Sequence, residues 1–160
     1  MDGSSNLIIA PNFNGVPNLE ELILARCSNL RKLHSSIDKL KYLKLLDLSV
    51  CQELTSLLNK FEMDFLVTLS LTWCSKVKKI PEFVGNMECL KNFLLKYTAI
   101  IELPSSVECL IGLDSLNLAA CEQLVCLPNT ICSLTLLNNI NLFGCSNLTN
   151  CQRTWGISQV

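Results

Sequence analysis

The sequence predicts an α/β solenoid bent into a horseshoe arc, in which short parallel strands line a concave face and helical, 3₁₀ or irregular return segments form the convex face. Three observations predict it. Leucines recur every 23 to 24 residues, each period contains an L-x-L pair or its variant with Phe or Ile in the first place, and Pro with a β-branched or aromatic residue recurs in the second half of three of the six periods. We therefore expect about six repeats.

The period appears when six segments, starting at residues 19, 43, 66, 90, 113 and 137, are aligned on the template L-x-x-L-x-L-x-x-C-x-x-L-x-x-L. The first and third leucine columns hold leucine in all six copies, while the second also admits Phe93 and Ile140. Because strand side chains alternate between two faces, L-x-L turns both leucines to one face of a short strand. Stacked copies then form a parallel sheet, and the pattern indicates a leucine-rich repeat array.

We interpret residues 1–160 as a single leucine-rich repeat domain. Residues 1–18 match the second half of a repeat, residues 19–150 hold six repeats with the last incomplete, and residues 151–160 form an irregular tail. Solenoids normally need polar caps over their terminal repeats. We therefore expect the chain to be a fragment or a truncated gene product.

Composition narrows the classes of partner. Thirteen basic and fourteen acidic residues leave a net charge of −1, which favours neither nucleic acid nor an anionic membrane. The uninterrupted apolar stretches are far shorter than the roughly 20 residues that span a bilayer, and the N-terminus lacks the features of a secretory signal. We expect a protein partner, no small-molecule substrate, and a cytoplasmic location with the nucleus as an alternative.

Five of the ten cysteines fall in one template column, at the turn that leaves the strand. Its fourth member, Thr98, can form neither a disulfide nor a thiolate–metal bond. Parallel strands lie about 4.8 Å apart with side chains pointing the same way, so their Cβ atoms do not close to the roughly 3.8 Å of a disulfide. We expect small buried donors that face the carbonyls of the turn. This column is Cys27, Cys51, Cys74, Thr98, Cys121 and Cys145.

The remaining cysteines indicate no chemistry of their own. There is no C-x-x-C pair, and His34 is the only histidine, so neither a zinc site nor a redox motif is signalled. Phosphate-binding glycine motifs and paired carboxylates are also missing, and we expect no enzyme, no metal and no cofactor in this chain. The scattered cysteines are Cys89, Cys109, Cys126, Cys132 and Cys151.

Two template columns after the last strand leucine carry the candidate partner-binding residues, which we expect on the concave face. Trp73 and Tyr97 would be neighbours about 5 Å apart, and aromatic residues with Arg are enriched at binding hot spots. The alternative is that the two rings merely cover the edge of the core. The candidate set is Arg26, Val50, Trp73, Lys96, Tyr97 and Phe143.

The recurring L-x-L-x-x-C-x-x-L-x-x-L-P, together with the variant YTAIIELPSSVECLIGL that has Thr98 in the cysteine column, resembles the leucine-rich repeats of plant TIR-NBS-LRR disease-resistance proteins over residues 4–149. In that family the repeat domain follows a TIR domain and a nucleotide-binding NB-ARC domain. The resemblance implies recognition of a pathogen effector or a guarded host protein, and restraint of the receptor's own NB-ARC domain. It implies ADP or ATP only for that domain, whose phosphate-binding loop this chain lacks.

Two other kinds of repeat are weaker matches. Repeats of F-box ubiquitin-ligase adaptors, which bind substrates, also carry Cys after L-x-L, but they run to about 26 residues with a longer helix. Repeats of extracellular receptors place Asn in the cysteine column and follow it with G-x-I-P. The period of 23 to 24 residues with L-P favours the disease-resistance family.

Overall fold

The structure, a computed structural model, describes residues 3–149 as a solenoid built around a parallel sheet. The strands are β1 (Glu21–Ile23), β2 (Leu45–Asp47), β3 (Lys60–Phe61), β4 (Thr68–Ser70), β5 (Glu82–Phe83), β6 (Asn92–Leu94), β7 (Ser115–Asn117) and β8 (Asn139–Asn141). The main sheet runs in the order β1-β2-β4-β6-β7-β8, and a second sheet on the return side contains β3 and β5.

The strand register follows the sequence template. All neighbouring strands pair in parallel, and the second leucine column is aligned from Leu22 through Phe93 to Ile140. The side chains of this column and of the third are buried in the first five repeats and only partly buried in the last. The predicted leucine-rich repeat fold is confirmed.

Three return segments are short 3₁₀ helices, η1 (Ser35–Lys39), η2 (Ser105–Cys109) and η3 (Asn129–Ser133). Pro104 and Pro128 precede η2 and η3 with extended backbones, which suits the fixed φ of proline. His34 takes this place before η1, and its Nδ1 accepts the backbone N–H of Ser36 at 3.1 Å. His34 therefore caps the helix.

The return segments of repeats two and three differ from this arrangement. After Pro81 the chain forms the strand β5 rather than a 3₁₀ helix, and β5 pairs with β3. Phe61 and Phe83 are partners in that pairing and are both buried, with their rings stacked at a centroid distance of 5.7 Å. Aromatic residues favour strands and stabilise them through such cross-strand pairs.

Repeats three and four pack closely against each other at Gly112. A Cβ atom at this position would lie 1.8 Å from the carbonyl oxygen of Glu88 and 2.6 Å from its carbonyl carbon. Both atoms belong to the backbone, so no side-chain rotation can make room. Only glycine fits here without moving the two repeats apart.

Gly112→Ala is expected to lower the free energy of unfolding by about 1–3 kcal/mol, the usual cost of overpacking. Urea unfolding followed by circular dichroism measures the change. Gly15→Ala is the matched control, because a Cβ atom there would meet nothing within 4 Å. Equal stability of the two variants would contradict the close contact with Glu88.

Candidate protein-interaction site

Each strand of the main sheet leads into a tight turn of the same geometry. In the first repeat the N–H of Cys27 donates to the carbonyl of Leu24 at 3.3 Å, and the equivalent bond recurs in the other five. The third residue of each turn has a positive φ, which a type II turn requires and which glycine adopts most cheaply. These residues and their φ values are Arg26 (58°), Val50 (61°), Trp73 (65°), Tyr97 (59°), Ala120 (55°) and Gly144 (76°).

The candidate residues directly follow the strands of the main sheet. Each of these strands is three residues long and ends before the turn begins. The candidate side chains therefore lie along the edge of the sheet at the C-terminal ends of the strands, and their predicted place on the concave face stays a prediction. Four candidates occupy the third turn position (Arg26, Val50, Trp73 and Tyr97), and two occupy the second (Lys96 and Phe143).

Two neighbouring turns bring their aromatic rings into contact. The rings of Trp73 and Tyr97 stack with centroids 3.7 Å apart and an angle of 14° between their planes. The Nζ atom of Lys96 lies 5.1 Å from the centroid of the Tyr97 ring, within the range of a cation–π interaction. Trp73 remains 46% exposed in spite of the stack. We call these three residues the aromatic edge patch.

The other candidates flank this patch. Val50, in the repeat before Trp73, is partly buried, and Arg26 lies exposed one repeat further along the same edge. Phe143 lies two repeats beyond Tyr97 and is 84% exposed. The structure thus brings together Trp73, Lys96 and Tyr97, with Arg26 and Phe143 at a distance from them.

The cysteine ladder, formed by the column from Cys27 to Cys145, links one repeat to the next. The thiols of Cys51 and Cys74 donate to the carbonyls of Leu24 and Leu48, at 3.2 and 3.1 Å, each in the preceding repeat. Cys121 and Cys145 donate in the same way to Leu95 and Leu118, each at 3.1 Å. These carbonyls face the turn, and the spacing of the column alone could not show that the bond crosses between repeats.

Thr98 departs from the ladder because its loop is one residue shorter. Its hydroxyl donates to Leu95 within its own repeat at 2.9 Å and contacts the Sγ atom of Cys121 at 3.3 Å. Ile100 follows after a single residue and is fully buried, as Leu30 is in the first repeat. Thr98 therefore closes a more compact loop with the same inward-facing donor.

Burial decides the chemistry of the ladder thiols. It raises the pKa of Cys51 and of Cys74 to about 12, and it raises the pKa of Cys121 and Cys145 as well. Nucleophilic attack and metal ligation both need the thiolate. These thiols are protonated hydrogen-bond donors near neutral pH, and their role is structural.

The scattered cysteines lie in varied surroundings. Cys89, Cys109 and Cys126 are partly buried and Cys132 is exposed, while Cys151 lies outside the described residues. Within residues 3–149 no cluster of three or more His, Cys, Asp or Glu could hold a metal ion. Over the same range the helices are too short and too polar to cross a membrane.

Comparison with known proteins identifies the repeats. Residues 61–159 match the family described as leucine-rich repeats of RPS4B-like disease resistance proteins. The TMV resistance protein N of Nicotiana glutinosa is 34% identical over 149 residues, which are 91% of this chain and 13% of that protein. The disease resistance protein RPS6 of Arabidopsis thaliana is 32% identical over 83% of this chain and 12% of its own length.

The chain thus spans between a tenth and a seventh of the length of these relatives. Among solved structures, the leucine-rich repeat domain of the type III effector XopL superposes with a TM-score of 0.65 at 20% identity. That match covers 83% of this chain and 47% of the other, and it shows the shared fold alone. The chain belongs to the leucine-rich repeats of plant disease-resistance proteins of the RPS4B-like, TIR-NBS-LRR kind.

Proposed function

We propose that this chain is a protein-recognition module of an intracellular plant immune receptor, acting in the cytoplasm or the nucleus, and that it contacts its partner through the aromatic edge patch. Family membership supports the role in immunity. The solenoid supports protein binding, because its repeated turns present a long row of side chains whose identity the core does not dictate.

One observation carries the assignment of the patch. The third turn position favours glycine, and a residue with a Cβ atom there costs roughly 1–2 kcal/mol of backbone energy. Ala120 and Gly144 show that small residues complete the turn. Trp73 and Tyr97 nevertheless hold large rings at this position, and Trp73 leaves nearly half of its surface in solvent. A half-exposed indole that stacks on a neighbouring ring, with both residues on strained turns, is better explained by contact with a partner than by the needs of the fold.

The finer function follows the family. The partner would be a pathogen effector, a guarded host protein or the receptor's own NB-ARC domain, and binding would release that domain's nucleotide switch. Any ADP or ATP would be held by the NB-ARC domain. The leucine-rich chain would contribute a surface and no catalytic group.

A display library that encodes plant host proteins and secreted pathogen proteins tests this role. Trp73→Gly with Tyr97→Gly is the informative variant, because glycine suits the positive φ and removes the rings without disturbing the turn. We expect the affinity of selected host or pathogen proteins to fall about tenfold or more, as at other aromatic hot spots.

The control is Tyr42→Ala with Phe65→Ala, which removes a second exposed aromatic pair. The two rings stack with centroids 5.9 Å apart, and both residues precede strands of the main sheet (β2 and β4), whereas Trp73 and Tyr97 follow theirs. Affinity should survive in the control. Binders that keep full affinity for the Trp73→Gly, Tyr97→Gly variant would exclude the patch as the contact site.

A further inference from the structure

We infer that the partner presents, to the aromatic edge patch, an acidic side chain next to an apolar or aromatic one. This inference rests on the proposed function and specifies the chemistry of its ligand. Three observations support it. They are the charge along the edge, the position of Lys96 over a ring, and the lack of ion pairs at the nearby cations.

Charge along this edge has a single sign in the first four repeats. We consider the four residues of each turn and the one residue after it, which are residues 24–28, 48–52, 71–75 and 95–99. The charged residues in these segments are Arg26 and Lys96, and both are positive. The first carboxylate at an equivalent position is Glu122, in the fifth repeat. Asp47 lies nearby on β2, but its carboxylate accepts the N–H and the hydroxyl of Ser49 at 2.9 and 2.6 Å.

The two cations of the edge differ from two nearby lysines in their ion pairing. Lys44 and Lys76 form ion pairs with Glu20 and Glu53, at 2.7 and 2.5 Å. Arg26 and Lys96 form no such pair with any carboxylate in the part of the chain that the structure describes. A partner's carboxylate would therefore meet an unneutralised positive edge.

Lys96 also has a fixed relation to the rings. Its ammonium lies against Tyr97, which stacks on Trp73, so the charge stands at the border of an apolar surface. A carboxylate bound to Nζ would place the adjoining side chain of the partner over the exposed indole. Covering the rings would exclude water and strengthen the ion pair, because Coulomb attraction rises as the local dielectric falls.

A single-stranded nucleic acid is the competing ligand, since bases stack on aromatic rings beside cations. Binding to a phosphate backbone usually draws on several cations. Here the edge of four repeats offers two cations, and the whole chain has a net charge of −1. A short acidic and apolar protein segment fits this surface better.

The test selects randomised peptides on the wild-type chain and measures their affinity for variants. We expect the peptides to be enriched in Asp or Glu beside an aromatic or aliphatic residue. Lys96→Glu should weaken them about tenfold or more and turn a new selection toward Lys and Arg. Lys91→Glu is the matched control, because this exposed lysine precedes the same strand β6 and should leave affinity unchanged.

The outcomes separate this inference from the proposed function. Peptides whose affinity is insensitive to Trp73→Gly would overturn the patch itself. Peptides that need Trp73 but show no acidic preference, or that tolerate Lys96→Glu, would overturn only the acidic partner. Competition by an oligothymidylate at physiological salt would assign the edge to nucleic acid and would also overturn it. Selection of acidic peptides whose binding depends on both Trp73 and Lys96 would establish the inference.

Discussion

Replacing Phe93 with alanine is expected to lower the free energy of unfolding by about 3–5 kcal/mol. Phe93 is fully buried in β6, one of the two central strands of the main sheet. Its ring packs edge-on against Phe83 at a centroid distance of 5.7 Å, and Phe83 stacks on Phe61. The truncation therefore opens a cavity where the main sheet meets the return-side sheet.

Because Phe93 lies in a central repeat, its truncation should also affect the neighbouring repeats. In a solenoid each repeat contacts only its neighbours, so stability is close to a sum of repeat and interface contributions. A cavity at Phe93 weakens the interfaces on both sides of the repeat. We expect cooperativity to suffer as well, seen as a shallower dependence of the unfolding free energy on urea.

Urea unfolding of three variants measures the effect. Phe93→Leu restores the residue that most repeats carry in this column and should lose less than Phe93→Ala. Phe65→Ala removes a ring that is 48% exposed and stacks on Tyr42, so it should lose clearly less than Phe93→Ala. A loss of less than about 1 kcal/mol in Phe93→Ala would show that Phe93 does not fill the core as described.

The sequence predicted the repeat columns well because the two-residue strand period and the repeat length both depend on local spacing. It did not predict β3 and β5, since the contact between Phe61 and Phe83 joins side chains of different repeats. The turn conformation was also missed. A positive φ is usually signalled by glycine or asparagine, and residues such as Val50 and Trp73 give the opposite signal.

The candidate site shows the same division. Residue type alone pointed to Trp73 and Tyr97, and their adjacency followed from the repeat period. Their position beyond the strand, and the approach of Lys96 to the ring, depend on where the three-residue strand stops and on side-chain rotamers. The spacing of residues in the template determines neither the end of the strand nor the rotamers. The thiol hydrogen bonds to the preceding repeat likewise depend on where the backbone carbonyls point, which the sequence does not show.

Raising the pH above 9 is expected to destabilise the folded chain through the ladder thiols. Burial holds the pKa of Cys51 and Cys74 at about 12, whereas the ordinary value is 9.0. Between these values the unfolded chain loses the thiol protons and the folded chain keeps them. Stability is therefore fully present below pH 9 and falls as the pH rises toward 12, by about 1.4 kcal/mol per pH unit for each thiol.

The slope of stability against pH separates this effect from simple loss of packing. Cys74→Ser keeps a donor for the carbonyl of Leu48 but has no ionisable group in this range, so its slope between pH 9 and 11 should fall by about 1.4 kcal/mol per unit. Thr98→Ser alters the ladder without removing an ionisable group and should leave the slope unchanged. Urea unfolding at closely spaced pH values supplies both measurements. An unaltered slope in Cys74→Ser would mean that this thiol ionises as readily in the folded chain as in the unfolded one, and the ladder would then not be a row of buried, protonated donors.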